Sequence, residues 1–287
     1  MQKKKNTLIK VKEHLDFLLI ALVVIPLILF ALHFFLPEEL KEKLALHRDY
    51  IIGYEIFTNH FIHLDLEHLL GNVISYLIAV ILLYVSLTSI NEKRMFYILF
   101  ILNLTILPII ISLIWIPINK YIIIKFGSTR GFSGIVSSFV GMSICSIILS
   151  SFRKFGIKSK VAYFYLSILF LSIFLLTLLL IYFSNDFTLL LLTLSISMIT
   201  IILLISYFKS IDKEIGNKFI KVGEIRLKVK YGFLILYLSV FILLISFTFL
   251  AFPFNPKNTN IIVHYIGFII GMFVFFVVSN FLYVKSV

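Results

Sequence analysis

Apolar positions in this chain fall into long unbroken runs, not into the two-residue rhythm of a half-buried strand or the three-to-four-residue stripe of a soluble helix. The runs lie near 15–36, 67–89, 95–117, 131–151, 161–183, 187–208, 231–253 and 261–283. Each is about 20 residues long, enough to cross the hydrocarbon core of a bilayer. Backbone amides and carbonyls in lipid must be satisfied within the segment, so the runs predict eight helices. Ser184, Asn185 and Asp186 alone separate the fifth and sixth runs, which predicts a tight helical hairpin that preserves the orientation of everything after it. The expected architecture is an all-α, polytopic membrane bundle of about eight transmembrane helices, spanning 15–287 behind a short basic tail at 1–14.

The polar segments between runs add detail. In the longest outer segment, Pro37 to Leu66, Pro37 is followed by Glu38 and Glu39, a favourable helix start. Leu40, Leu44 and Leu46 then alternate with Lys and Glu, which fits either an amphipathic helix at the interface or a solvated loop. Composition agrees with the pattern: 61% of the 287 residues are hydrophobic, and the mean hydropathy is +1.08, well beyond a soluble domain. The net charge of +12 sits in short segments between runs, without a basic face carrying base-stacking aromatics, so nucleic acid is not an expected partner. With a cytoplasmic N-terminus, 19 of the 26 Lys and Arg residues fall in inner segments. That bias predicts a multi-pass protein of the cell membrane with both termini cytoplasmic. The seven basic residues between 209 and 230 belong to that inner side, within reach of anionic lipid. Cys145 is the single cysteine, which excludes a disulfide framework or a Cys-rich metal site. The first run is too long for a cleaved leader and is expected to remain as a span.

Polar side chains inside spans are costly and therefore candidates for function. The second run opens with His68 and Asn72, four residues apart and on one helix face. Both can donate hydrogen bonds to a developing negative charge; interhelical hydrogen bonding is the alternative role. The fourth run opens with Gly131-Phe132-Ser133-Gly134, and Gly134, Ser137, Ser138 and Gly141 continue a small-residue stripe. The last opens with His264, followed on the same face by Gly267 and Gly271. Small residues of this kind let two helices approach closely. In the expected orientation these three spans all enter from the outer side, so His68, Asn72, Ser133 and His264 share one depth.

That set suits acyl chemistry. A serine hydroxyl needs a base in hydrogen-bond reach, and His264 is the candidate for Ser133. No Asp or Glu lies near that depth on another span, so a dyad is expected rather than a triad. The Ser133 N–H with His68 and Asn72 would receive the oxyanion.

The residues His63-x4-His68-x3-Asn72, Gly131-x-Ser133-Gly134 and His264-x2-Gly267-x3-Gly271 resemble the rhomboid family of intramembrane serine proteases. The resemblance implies a rhomboid-like core with Ser133 as nucleophile, His264 as base, and His68 and Asn72 at the oxyanion. His63, Gly131, Gly134, Gly267 and Gly271 would be structural supports. It implies membrane-anchored protein substrates, cut in or near a transmembrane segment, and no cofactor or metal. The chain departs from the pattern in three ways. Two additional spans, about 161–208, lie between the serine and the histidine; Tyr54-Glu55 stands where many members carry Trp-Arg; and Ser137 takes the place of an aromatic residue one turn after the serine. A non-catalytic rhomboid-like protein that binds membrane proteins is the alternative. A CAAX-type protease would leave the serine and last-span motifs unexplained. A metal site at His60, His63, Glu67 and His68 lacks an HExxH pattern.

Overall fold

The computed structural model describes residues 17–123, 127–154 and 260–284, with shorter stretches at 168–180, 195–209, 219–228, 231 and 238 that are themselves interrupted. The described chain is mostly helical and contains four helices long and apolar enough to cross a membrane, plus one bent pair that would make a fifth span. These are α1 (Phe17–Phe35), α3 (Leu66–Thr88), the pair α4 (Lys93–Thr105) and α5 (Leu107–Pro117), α6 (Ser133–Lys154) and α7 (Ile261–Val284). A short helix α2 (Glu38–Leu44) lies between α1 and α3. The runs expected as spans near 161–183, 187–208 and 231–253 fall largely outside the described residues, as do the tail at 1–14 and most of the 209–230 segment. Helix is described within the first two at 171–178 and 195–203.

Two small ladders were not expected from the sequence. Strand β1 (Leu46–His47) pairs antiparallel with β2 (Ser128–Thr129), joining the segment between α1 and α3 to the residues just before α6. Strands β3 (Phe219–Val222) and β4 (Ile225–Lys228) form a hairpin.

Proline explains two irregularities. In α1 the turn Ile20–Val24 is wound as a π-helix, and the Ile25 N–H bonds the Ile20 carbonyl five residues back. In that register the next donor, for Ala21, would be residue 26, and Pro26 has no N–H. The Tyr76 hydroxyl on α3 donates to the Ala21 carbonyl instead, at 2.7 Å. The third span, expected as one helix over 95–117, is two helices meeting at 45°. Pro108 sits just after the break and removes the amide that would have continued the ladder.

α6 is the hub. Its most extensive contact is with α7 and its next with α3, and nearly every residue from Ser133 to Phe152 is buried. Lipid is as apolar as leucine, so helix association in a membrane depends on close backbone packing and hydrogen bonds. The α6–α7 contact is of the first kind. A Cβ added to Gly267 would lie 2.1 Å from the Gly134 carbonyl oxygen, and one added to Gly271 would lie 2.2 Å from that of Ser138. A Cβ at Gly141 would meet the Phe268 carbonyl at 2.5 Å. The α6–α3 contact adds a hydrogen bond from the Ser143 hydroxyl to the Ala79 carbonyl, at 2.7 Å.

This packing makes opposite predictions for two glycines. Gly267→Ala forces a methyl into backbone and should destabilise the fold by about 1–3 kcal/mol. Gly71→Ala, on an α3 face with nothing within 4 Å, should stabilise it by about 0.5–1 kcal/mol through helix propensity. Unfolding of both variants in detergent, by heat or SDS titration, checks the sign of each.

Candidate functional site

The candidate site lies where the N-terminal turns of α3, α6 and α7 meet the segment Glu55–Asp65. α3 starts sharply because Asp65, in extended conformation, accepts the His68 N–H on its carboxylate at 2.7 Å. An N-cap of this kind is worth about 1 kcal/mol and fixes the first turn. It also sets the direction in which His68 and Asn72 leave the helix.

Gly131 shows why this position is glycine. Its φ is +135°, a conformation that side chains rarely adopt, and a Cβ there would lie 2.7 Å from Cε1 and 3.3 Å from Nε2 of the His68 ring. The His68 imidazole therefore lies against the backbone two residues before Ser133. The Gly131 N–H donates to the Asn59 carbonyl at 2.9 Å. Phe132, fully buried, packs edge-on against Tyr76 and near Phe61. Between them these contacts fix the chain on entry to α6.

His63 ties α3 to α6. Asn72 Nδ2 donates to His63 Nε2 at 3.1 Å, and the Phe132 N–H donates to the same nitrogen at 3.3 Å. An imidazole that accepts at Nε2 is neutral, with its proton on Nδ1. Burial holds the His63 pKa down to about 3, with the charges of His68 and His33 adding to the effect. The His63 and His68 rings meet edge to face, centroids 5.5 Å apart.

His264 and Ser133 are both buried, 2% and 6% exposed. Their backbones are brought to one level by the helix crossing. Gly134, the residue after Ser133, touches Val263, the residue before His264, and its carbonyl meets Gly267, one turn beyond His264. His68 and His264 are near enough to interact electrostatically. The structure thus gathers Ser133, His264, His68, Asn72, His63, Gly131, Gly134 and Gly267 into one region. Gly271 lies a turn deeper, against Ser138. Four polar atoms in this region, His60 Nδ1, His63 Nδ1, His68 Nε2 and Asn72 Oδ1, are buried without a hydrogen-bond partner among the described residues. Buried polar atoms are ordinarily paired, so such orphans mark a place where a ligand group is missing or a task is performed.

Several supporting residues escaped the sequence reading. His60 Nε2–H donates to the Pro108 carbonyl and to Ser112 Oγ, both at 2.9 Å. Asn59 Nδ2 donates to Ser112 Oγ at 3.1 Å. These bonds lash the segment between α1 and α3 to α5 just after the break that precedes Pro108. Burial lowers the His60 pKa to about 4, opposed by its bond to the Pro108 carbonyl. Glu55 is fully buried, and its carboxylate accepts the N–H groups of Ile52 at 3.1 Å and Gly53 at 2.7 Å. Only their burial distinguishes these residues, and burial is not visible in a loop sequence. Ser137, one turn after Ser133, donates its hydroxyl to the Ser133 carbonyl at 2.7 Å. Among the described residues no group of three or more His, Cys, Asp or Glu could hold a metal ion.

No family model, curated protein or solved structure matches this chain.

The buried histidines predict acid sensitivity. Both folded-state pKa values lie below the ordinary 6.5, so below that pH the unfolded chain binds protons that the folded chain refuses. Their contribution to stability is intact above pH 6.5 and is lost as pH falls toward about 4 for His60 and about 3 for His63. The slope approaches about 1.4 kcal/mol per pH unit for each site. Unfolding midpoints measured from pH 7.5 to 5 should fall, and His60→Gln should flatten the decline.

Proposed function

We propose that this chain is an intramembrane serine endopeptidase with a rhomboid-like core, using Ser133 and His264 as a catalytic dyad. The observation that carries the reading is the Gly134–Gly267 contact, one residue from Ser133 and one turn from His264. It is supported by His68 Nε2, a nitrogen that can donate and is buried without a partner among the described residues of the same region.

The chemistry follows from the groups. In a substrate complex, Ser133 Oγ attacks the scissile carbonyl carbon while His264, neutral, takes the hydroxyl proton as general base. The carbonyl oxygen becomes an oxyanion. Its donors would be the Ser133 N–H at the start of α6, a proton on His68 Nε2, and the second hydrogen of Asn72 Nδ2, the first being engaged with His63. His63 thereby acts as a positioning residue, since it holds Asn72 from one side and the Phe132 amide from the other. When the intermediate collapses, the C–N bond breaks and His264 returns its proton to the leaving amine. Water then attacks the acyl-serine, with His264 again as base, releasing the second product and restoring Ser133.

Substrates in this reading are membrane-anchored proteins cut in or near a transmembrane segment, because the dyad lies at the ends of spanning helices. The Lys and Arg bias makes the chain a multi-pass protein of the cell membrane with both termini cytoplasmic. The site would then open toward the outer face, which supplies the hydrolytic water. The reaction requires no cofactor.

Purified protein in detergent or bilayer should cleave a single-span model substrate; Ser133→Ala should abolish cleavage without shifting the unfolding midpoint, and His264→Ala should abolish it as well. A fluorophosphonate probe should label Ser133 and require His264. Asn72→Ala should lower kcat by about 10²–10³-fold, the usual cost of one oxyanion donor. Undiminished cleavage by Ser133→Ala would sink the assignment. A folded protein that neither cleaves nor labels would favour a non-catalytic, membrane-protein-binding role.

A further inference from the structure

Residues Gly127–Phe132, which lead into α6, are anchored in several places. β2 pairs with β1, Leu46 opposite Thr129 and His47 opposite Ser128. The Arg48 N–H donates to the Gly127 carbonyl at 3.0 Å. The Trp115 indole N–H donates to Thr129 Oγ1 at 2.9 Å. Gly131 and Phe132 are held by Asn59 and His63. The remaining residue is Arg130, and its anchor is ionic.

Arg130 Nη1 lies 3.2 Å from Glu38 Oε1 and 3.3 Å from Glu42 Oε2. The two carboxylates are one turn apart on α2, so a single guanidinium meets both, and its side chain is only 14% exposed. Lys41 also pairs with Glu38, at 3.2 Å, and His47 Nε2 is 3.6 Å from Glu42. α2 is joined to β1 by Ala45 alone. Arg130 therefore closes a ring: α2, β1, β2, Arg130 and back to α2.

We propose that Arg130 is a positioning residue for Ser133, which it serves by clamping the α6 entry loop to α2. The inference rests on the protease reading for its effect on rate, though not for the clamp itself. Gly131, next to Arg130, has no side chain to restrain its backbone. Rotation there would carry Phe132 and the Ser133 amide away from His63 and the oxyanion position, and Arg130 and Phe132 are the side chains that resist it on either side. Partly exposed ion pairs contribute little to global stability. A misplacement of about 1 Å at a reacting group, by contrast, can cost about 10²-fold in rate. The clamp should thus show itself in rate far more than in stability.

The test compares Arg130→Gln, Arg130→Lys, the double variant Glu38→Gln/Glu42→Gln and the triple combination. Each is followed by unfolding midpoint, fluorophosphonate labelling rate, kcat and KM, and amide hydrogen exchange of residues 127–132. Arg130→Gln should lower labelling and kcat by about tenfold to a hundredfold, leaving KM and the midpoint nearly unchanged. Arg130→Lys should recover part of the loss. The carboxylate double variant should reproduce it, and the triple variant should be no worse than either parent, because the groups act through one another. Wild-type rates in Arg130→Gln, or losses that add in the triple variant, would overturn the proposal. If the wild-type protein itself neither cleaves nor labels, the protease reading fails separately. Hydrogen exchange then decides the clamp: faster exchange at Gly131 and Phe132 in Arg130→Gln sustains it, and unchanged exchange refutes it.

Discussion

The backbone contact between α6 and α7 governs the rest of this structure. Two helices in lipid gain nothing from excluding water, so they hold together only where their surfaces match closely or where polar groups meet. Gly134, Ser138 and Gly141 on one side and Gly267 and Gly271 on the other remove the side chains that would keep the backbones apart. Once α7 occupies that face of α6, the opposite face is left for α3, and Ser143 bonds across to Ala79. The contact fixes rotation as well as distance. Register slippage by one residue would put side chains where only glycine fits, so the turns bearing Ser133 and His264 are held level by sterics rather than by attraction.

The second constraint is the cost of orphaned backbone groups where water is scarce. Two prolines each remove an amide from a helix, and polar contacts beside both join separate elements. Beside Pro26, the Ala21 carbonyl accepts from Tyr76 and ties α1 to α3. The Pro108 carbonyl accepts from His60 and ties α5 to the segment between α1 and α3. The same segment reaches α3 and α6 through His63, and α6 again through Asn59 and Gly131. Helix irregularities and loop histidines together form a framework beneath the candidate site.

How much of this the sequence discloses depends on the range of the interaction. Runs of apolar residues announce α1, α3, α6 and α7 to within a few residues, because span length is imposed by the bilayer and not by a partner. Pro37-Glu38-Glu39 announces α2, since first-turn preferences are local. The glycines at 134, 267 and 271 suggested a close approach, because only a missing Cβ permits one. Pro108 lies inside a run whose apolar pattern alone reads as one continuous helix. Proline within a spanning helix is tolerated often enough that its presence alone does not demand a bend. The pairing of β1 with β2, and of Arg130 with Glu38 and Glu42, was not legible at all. These partners are 81 to 92 residues apart, and nothing in either segment's pattern names the other. The same is true of Asn59, His60 and Ser112, ordinary polar residues until burial makes their pairing obligatory.

The arrangement also bears on how a dyad could be held without a third acidic member. In a soluble triad a buried carboxylate orients the imidazole. No such carboxylate was expected at this depth, and Glu55, a buried acid of the segment between α1 and α3, has its two oxygens engaged by the amides of Ile52 and Gly53. Ser137, where a stacking aromatic residue would sit by resemblance, has its hydroxyl on the Ser133 carbonyl. The Gly267 contact restrains the helix that carries His264, one turn beyond the ring. A side chain on a short tether from a fixed backbone has few rotamers to choose among, and burial prunes them further. Packing of this kind can preorganise a side chain without a buried charge. It suits a site set among spanning helices, where a third charge would be expensive to bury.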